Sequence, residues 1–217
     1  MQKGKCILIG AGDLTVGAIR RSEEDYVIAL DGGLSYCSFL EVEPDLIIGD
    51  FDSVTEKERE ALEELEKTIP DRVIRLKPEK DDTDMLYAIK YALEAGYREF
   101  RLYGATGGRF DHTLANIQCL LYLKNHGAKG YLMDGNGMVM VLQNEAVHFQ
   151  ADLEGYLSLF ALVKEAKGVT IRGMKYELEN AVITNDFPIG ISNEFVGKAA
   201  EISVEDGELV CMISYVA

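Results

Sequence analysis

Asp45-Leu46-Ile47-Ile48-Gly49-Asp50-Phe51-Asp52-Ser53 is the stretch on which the fold turns. Its apolar run carries no polar alternation, so it reads as a strand buried on both faces, as in a parallel sheet covered by helices. Ser53 with Glu56 makes a capping box, and Glu56 to Lys67 is rich in Glu, Lys, Leu and Ala, so a helix follows at once. Strand, acidic turn and helix within so short a span open a βα unit.

The same pattern recurs on both sides. Cys6-Ile7-Leu8-Ile9 runs into Gly10-Ala11-Gly12, Tyr26 to Leu30 into Asp31-Gly32-Gly33, Val73 to Leu76 towards Lys80-Asp81, and Phe100 to Tyr103 into Gly104-Ala105. Met85, Ala88, Ile89, Ala92 and Leu93 share one helical face that Gly96 ends. Leu114, Ile117, Leu120, Leu121 and Leu123 form another, ending near His126-Gly127. Alternating strands and helices predict an α/β domain with a mainly parallel sheet over residues 1–127. Beyond it the helical period stops. Tyr131-Leu132-Met133, Met138 to Leu142, Tyr156 to Phe160 and Val169 to Arg172 read as short strands, and Ala200 to Val204 with Leu209 to Tyr215 as a hairpin closed by Asp206-Gly207. Residues 128–217 are therefore expected to form an all-β sandwich.

Composition narrows the functions. The 217 residues carry a net charge of −15 and are 47% hydrophobic, enough for a core. So acidic a surface repels nucleic acid and anionic membrane, and neither is expected as a partner. An anionic substrate needs a metal and local Lys or Arg. The scattered cysteines Cys6, Cys37, Cys119 and Cys211 lack any C-x-x-C pair and read as buried thiols. No run reaches membrane-span length and no signal peptide is expected at the start, so the expected location is cytoplasmic.

The chemistry concentrates where ligands bind in open α/β sheets, at the carboxyl ends of the strands. Asp31, Asp50, Asp52 and the Asp81-Asp82-Thr83-Asp84 group all fall there. A helix cap explains one acid per cluster and leaves the others without a role. Carboxylates this dense call for a hard divalent cation such as Mg2+, which takes oxygen ligands and bridges to phosphates. Gly107-Gly108-Arg109-Phe110-Asp111-His112 adds a glycine turn through which backbone N–H groups can approach phosphate, with a guanidinium beside it. Gly10-Ala11-Gly12 lacks the third small residue of a dinucleotide fingerprint, Thr15 standing in its place, and reads equally as a tight turn. His126 and His148 lack partners at ligand spacing and read as surface residues.

Taken in order, Asp31-Gly32-Gly33, Gly49-Asp50-Phe51-Asp52-Ser53, Asp82-Thr83-Asp84, Gly107 to His112 and Ser192-Asn193-Glu194 resemble the thiamine pyrophosphokinase family over nearly the whole chain. The resemblance implies that ATP and thiamine give thiamine diphosphate and AMP. It implies Asp50, Asp52 and Asp84 as magnesium and catalytic acids with Asp31 beside them. It places Asp82, Thr83, Gly107, Arg109, Asp111 and His112 on the ATP side, and Ser192, Asn193 and Tyr176 on the thiamine side. It also implies a homodimer with the site at the subunit interface. The chain has no Trp, so Tyr176 or Phe195 is the candidate to stack on the cationic ring. Asp52 and Asp84 are both candidates for the base that takes the hydroxyl proton. The alternatives are a pyrophosphokinase of another hydroxymethyl heterocycle, pterin-like, and a nucleotide sensor without turnover.

Overall fold

A computed structural model describes residues 3–52, 55–77, 79 and 81–216, so the Ser53 capping box and Lys80 lie outside the described residues. The chain divides into two compact units, Met1–Gly135 and Asn136–Ala217.

The first unit is the expected α/β layer structure. Strands β1 (Cys6–Ile9), β2 (Tyr26–Leu30), β3 (Leu46–Gly49), β4 (Val73–Arg75), β5 (Glu99–Tyr103) and β6 (Lys129–Asp134) line up in the order β6-β5-β1-β2-β3-β4. Every pairing among them is parallel. Helices α1 (Leu34–Phe39), α2 (Glu56–Thr68), α3 (Asp84–Glu94) and α4 (Phe110–Asn125) connect them. All residues of β1 and β3 are buried, as the unbroken apolar runs require. Met85, Ala88, Ile89 and Ala92 form the buried face of α3. Tyr131-Leu132-Met133, read from sequence with the β half, instead belongs to β6 and pairs in parallel with β5. A three-residue apolar run looks the same in either kind of sheet.

Beyond β1 the chain runs outward through β2, β3 and β4, then returns to β1's other side with β5 and β6. That reversal makes a crevice at the carboxyl ends of the strands. The loops after β1 and β5 meet there, with Gly12 N donating to Gly104 O at 2.7 Å and Asp13 N to Thr106 O at 2.7 Å. Gly10-Ala11-Gly12 thus serves as a close-packed turn.

The second unit is all-β. Its strands are β7 (Gly137–Gln143), β8 (Ala146–Phe149), β9 (Gly155–Ala161), β10 (Glu165–Arg172), β11 (Leu178–Thr184), β12 (Gly190–Glu194), β13 (Ala200–Ser203) and β14 (Glu208–Tyr215). They form two antiparallel sheets, β12-β9-β14-β7 and β11-β10-β13-β8. Phe149 and Phe195 meet edge to face at 5.5 Å in the interior. The expected β13–β14 hairpin is not formed. β13 pairs with β10 and β8, whereas β14 pairs with β7 and β9. Lys167 N donates to Asp206 O at 2.8 Å and Glu205 N to Lys167 O at 3.1 Å, so the Asp206-Gly207 turn carries the chain from one sheet to the other.

Candidate active site

The two ends of the parallel sheet treat their acids differently. At the amino ends two carboxylates are tied to the backbone and to cations. Asp25 accepts N–H bonds from Lys5 (2.7 Å) and Ser22 (2.8 Å), and Asp45 takes both oxygens to Arg21 Nη2 (2.9 and 2.7 Å) and accepts from Val27 N (2.8 Å). At the carboxyl ends the acids face one another. Asp31, Asp50 and Asp52 each offer an oxygen within 4.8 Å of the others. Burial, then the charges of Asp50, Asp84 and Asp52, hold the Asp31 carboxyl above the usual aspartate range, and a hydrogen bond from Phe51 N opposes this only in part. Asp84, the first residue of α3, adds to this field but is not one of the three acids whose oxygens converge, so the expected set Asp50, Asp52 and Asp84 appears here as Asp31, Asp50 and Asp52. A donor set made only of carboxylate oxygens fits a hard divalent cation.

The turn that presents Asp50 and Asp52 is held from inside. Phe51 N donates to Asp31 Oδ1 at 3.0 Å, and Asp52 N to Asp50 Oδ1 at 3.3 Å. Thr83 caps α3 by accepting Leu86 N at 3.2 Å, while Asp82 is gripped by Lys90 Nζ at 2.8 and 2.6 Å. In the glycine-rich segment, Gly107 and Gly108 have φ of 80° and 58°, and Arg109 is the residue from which α4 starts. Asp111 takes Arg109 Nε at 3.2 Å and Nη2 at 2.6 Å, and the guanidinium holds its carboxyl below the usual range. His112 contributes its backbone N–H to Asp111 Oδ1 at 3.0 Å.

A cavity of about 630 Å3 adjoins the acids and is lined by Asp50, Phe51, Asp52, Arg59, Lys67 and Arg75 among others. The three cations were not singled out from sequence. Arg75 was the one findable signal, a charge inside the apolar run Val73-Ile74-Arg75-Leu76.

The thiamine-side candidates lie together in the second unit. Asn193 is only 6% exposed and binds the main chain of Tyr176, a residue itself 63% exposed. Ser192, with φ 58°, donates its N–H to Ser158 Oγ at 3.0 Å. Phe195 is 7% exposed and packed on Phe149, so it is a core residue and leaves Tyr176 as the presented aromatic. All four cysteines are buried, and burial pushes the Cys37 and Cys119 thiols up to about 11 and Cys211 to about 12, which makes them inert. No helix among the described residues is long and apolar enough to cross a membrane.

Fold and site together define a bipartite chain, a parallel α/β unit with a carboxylate centre at its strand ends followed by an all-β unit. Residues 20–132 match the thiamin pyrophosphokinase catalytic domain, and residues 144–209 the thiamin pyrophosphokinase vitamin B1 binding domain. The thiamine pyrophosphokinase of Bacillus subtilis (strain 168) is 33% identical over 167 residues, 76% of this chain and 76% of that protein. The crystal structure of the Bacillus subtilis enzyme superposes with a TM-score of 0.87 at 28% identity, covering 99% of this chain and 100% of that one. The thiamin pyrophosphokinase structure from Geobacillus thermodenitrificans gives 0.83 at 28% identity, covering 99% of each chain. The chain belongs to the thiamin pyrophosphokinase family.

Proposed function

We propose that this chain transfers the pyrophosphoryl group of ATP to the hydroxyl of thiamine, giving thiamine diphosphate and AMP. The observation that carries this reading is the convergence of Asp31, Asp50 and Asp52 at the carboxyl ends of parallel strands, in a chain whose second unit matches a vitamin B1 binding domain. Asp50, Asp52 and Asp84 would hold Mg2+, with Asp31, whose oxygen lies within 4.8 Å of those of Asp50 and Asp52, in support. When bound, Mg2+ neutralises the phosphate oxygens and orients them for in-line attack.

The chain's own groups do the rest. Gly107 and Gly108 let the backbone approach the triphosphate without a Cβ in the way. Asp111 fixes the Arg109 guanidinium, so that its remaining N–H groups face the nucleotide in one orientation. Asp82 orients Lys90 and Thr83 fixes the start of α3, which sets where Asp84 stands. Asp52 or Asp84 accepts the proton of the thiamine hydroxyl as it attacks the β-phosphorus. Tyr176 presents its ring to the thiamine cation, with Ser192 and Asn193 shaping the loop. The protein acts as a homodimer with the site at the subunit interface. The exposed apolar side chains Phe187, Ile189 and Ile191 of the second unit support a partner surface there.

Incubation with ATP, Mg2+ and thiamine should yield AMP and thiamine diphosphate in equal amounts. Turnover with a pterin alcohol and none with thiamine would overturn the reading. Nucleotide binding with no turnover on any acceptor would turn it into a sensor.

A further inference from the structure

Phe51 sits between the two acids of the Asp50-Phe51-Asp52 turn and has an improbable backbone. Its φ is 60°, in the left-handed region that disfavours a bulky side chain. That conformation persists only if its surroundings hold it. Three holds are visible. Asp31 Oδ1 takes its N–H at 3.0 Å. The ring is 3% exposed and belongs to the core cluster with Ile9, Ile47 and Leu62. The Arg75 guanidinium lies over the ring at 5.0 Å from its centroid.

Arg75 is itself held in place. Its Nε and Nη2 reach Glu66 Oε1 at 3.1 and 3.0 Å, and the register of β3 on β4 sets it opposite Gly49. Gly49 completes the fit by having no side chain. A Cβ there would stand 2.6 Å from Asp31 Oδ1 and 3.0 Å from Phe51 Cε1.

We infer that Arg75 is a positioning residue for the acidic centre, clamping the Phe51 ring through a cation–π contact so that Asp50 and Asp52 on either side keep a common aim. It acts through Phe51, although it also lines the cavity beside Asp50 and Asp52. This rests on the reading above that Asp50 and Asp52 hold the metal. The Arg75 side chain is 47% exposed, so the contact is of the modest, partly solvated kind.

The test is a titration of the nucleotide-free protein with Mn2+, following the free ion by its electron paramagnetic resonance signal, beside steady-state kinetics. Arg75→Met and Phe51→Leu should each weaken Mn2+ binding about 2- to 5-fold, the range a cation–π contact at a partly exposed site supplies. The double variant should be no worse than the poorer single one, because both remove one link. Both should lower kcat at saturating Mg2+ and leave the KM for thiamine unchanged. Arg75→Lys should recover part of the loss, and it keeps the test decisive if Arg75→Met folds poorly. Wild-type Mn2+ affinity in Arg75→Met would overturn the clamp. So would multiplicative effects in the double variant, or a rise in the KM for ATP in Arg75→Met that Phe51→Leu does not share. Asp50→Asn is the control. Unchanged Mn2+ binding there would overturn the metal assignment and the clamp with it, whereas loss there with no effect in Arg75→Met would sink the clamp alone.

Discussion

Asn193 and Tyr176 are joined through both ends of one amide. Asn193 Oδ1 accepts the Tyr176 N–H at 2.9 Å, and Asn193 Nδ2 donates to the Tyr176 carbonyl at 2.6 Å. Oδ1 also accepts Glu194 N at 3.0 Å. A buried side chain thus fixes the backbone of an exposed ring, and the two residues should fail differently. Asn193→Ala leaves those backbone groups without their partner and should cost about 2–4 kcal/mol, read by urea denaturation, together with a raised KM for thiamine. Tyr176→Ala should change stability by less than about 0.5 kcal/mol and still raise the KM for thiamine about tenfold, while Tyr176→Phe stays near wild type. Equal KM values for wild type and Tyr176→Ala would remove Tyr176 from the acceptor pocket.

Gly107 should tolerate no side chain. Its φ is 80°, and a Cβ would stand 2.0 Å from Asp13 Oδ2. Asp13 is tied to the same loop through Thr106 O, so it cannot easily withdraw. Gly107→Ala should lower stability by about 1–3 kcal/mol and raise the KM for ATP more than that for thiamine. Gly107→Ala combined with Asp13→Gly, which also removes the Asp13 Cβ that would stand 2.6 Å away, should recover part of the stability. If the double variant recovers none, the backbone conformation and not the contact sets the cost.

Much of this was legible beforehand because the decisive signals are local. Continuous apolar runs ending in acids announce buried parallel strands with chemistry at their tips, and α3 buries the face its spacing predicts. What escaped depends on contacts distant in sequence. An Asp-Gly turn has the same chemistry whether the flanking strands pair or part, so Asp206-Gly207 could not reveal that β13 and β14 belong to different sheets. β11 and β12 are edge strands with mixed exposure, and their alternation is too blurred to read. Arg75 reaches Phe51 only through the register of β3 on β4. In sequence Asn193 is one of three polar residues between Ile191 and Phe195, but only the fold shows it spent on the Tyr176 backbone.

Asp25 should shape the acid limb of the stability curve. It is buried, and burial alone would raise its pKa. The N–H groups of Ser22 and Lys5, then the Lys5 ammonium, outweigh that and depress it. A depressed carboxylate stabilises the fold fully above its unfolded pKa and loses that contribution as pH falls through its folded value. Asp25→Asn should therefore be less stable than wild type at pH 7, and the gap should close as the pH drops below the ordinary aspartate range. Thermal unfolding of both proteins across that range checks it. A gap of constant size would mean that the ionised form contributes nothing.

The acidic centre should set function against stability. Asp31, Asp50 and Asp52 place like charges within 4.8 Å of one another, with Asp84 adding to the field, and in the absence of a cation these charges repel. Asp50→Asn removes one charge while keeping an oxygen at the same place. It should lower turnover by at least about a thousandfold, since charge neutralisation is the main service such a site gives to phosphoryl-type transfer. The metal-free variant should nevertheless melt at the same temperature as wild type or higher. Mg2+ should raise the melting temperature of the wild type, because a ligand that binds only the folded state stabilises it, and this rise should shrink in Asp50→Asn. Asp84→Asn should behave alike. If either variant melted well below metal-free wild type with its Mg2+ response intact, the carboxylate would be holding the fold together and not the metal.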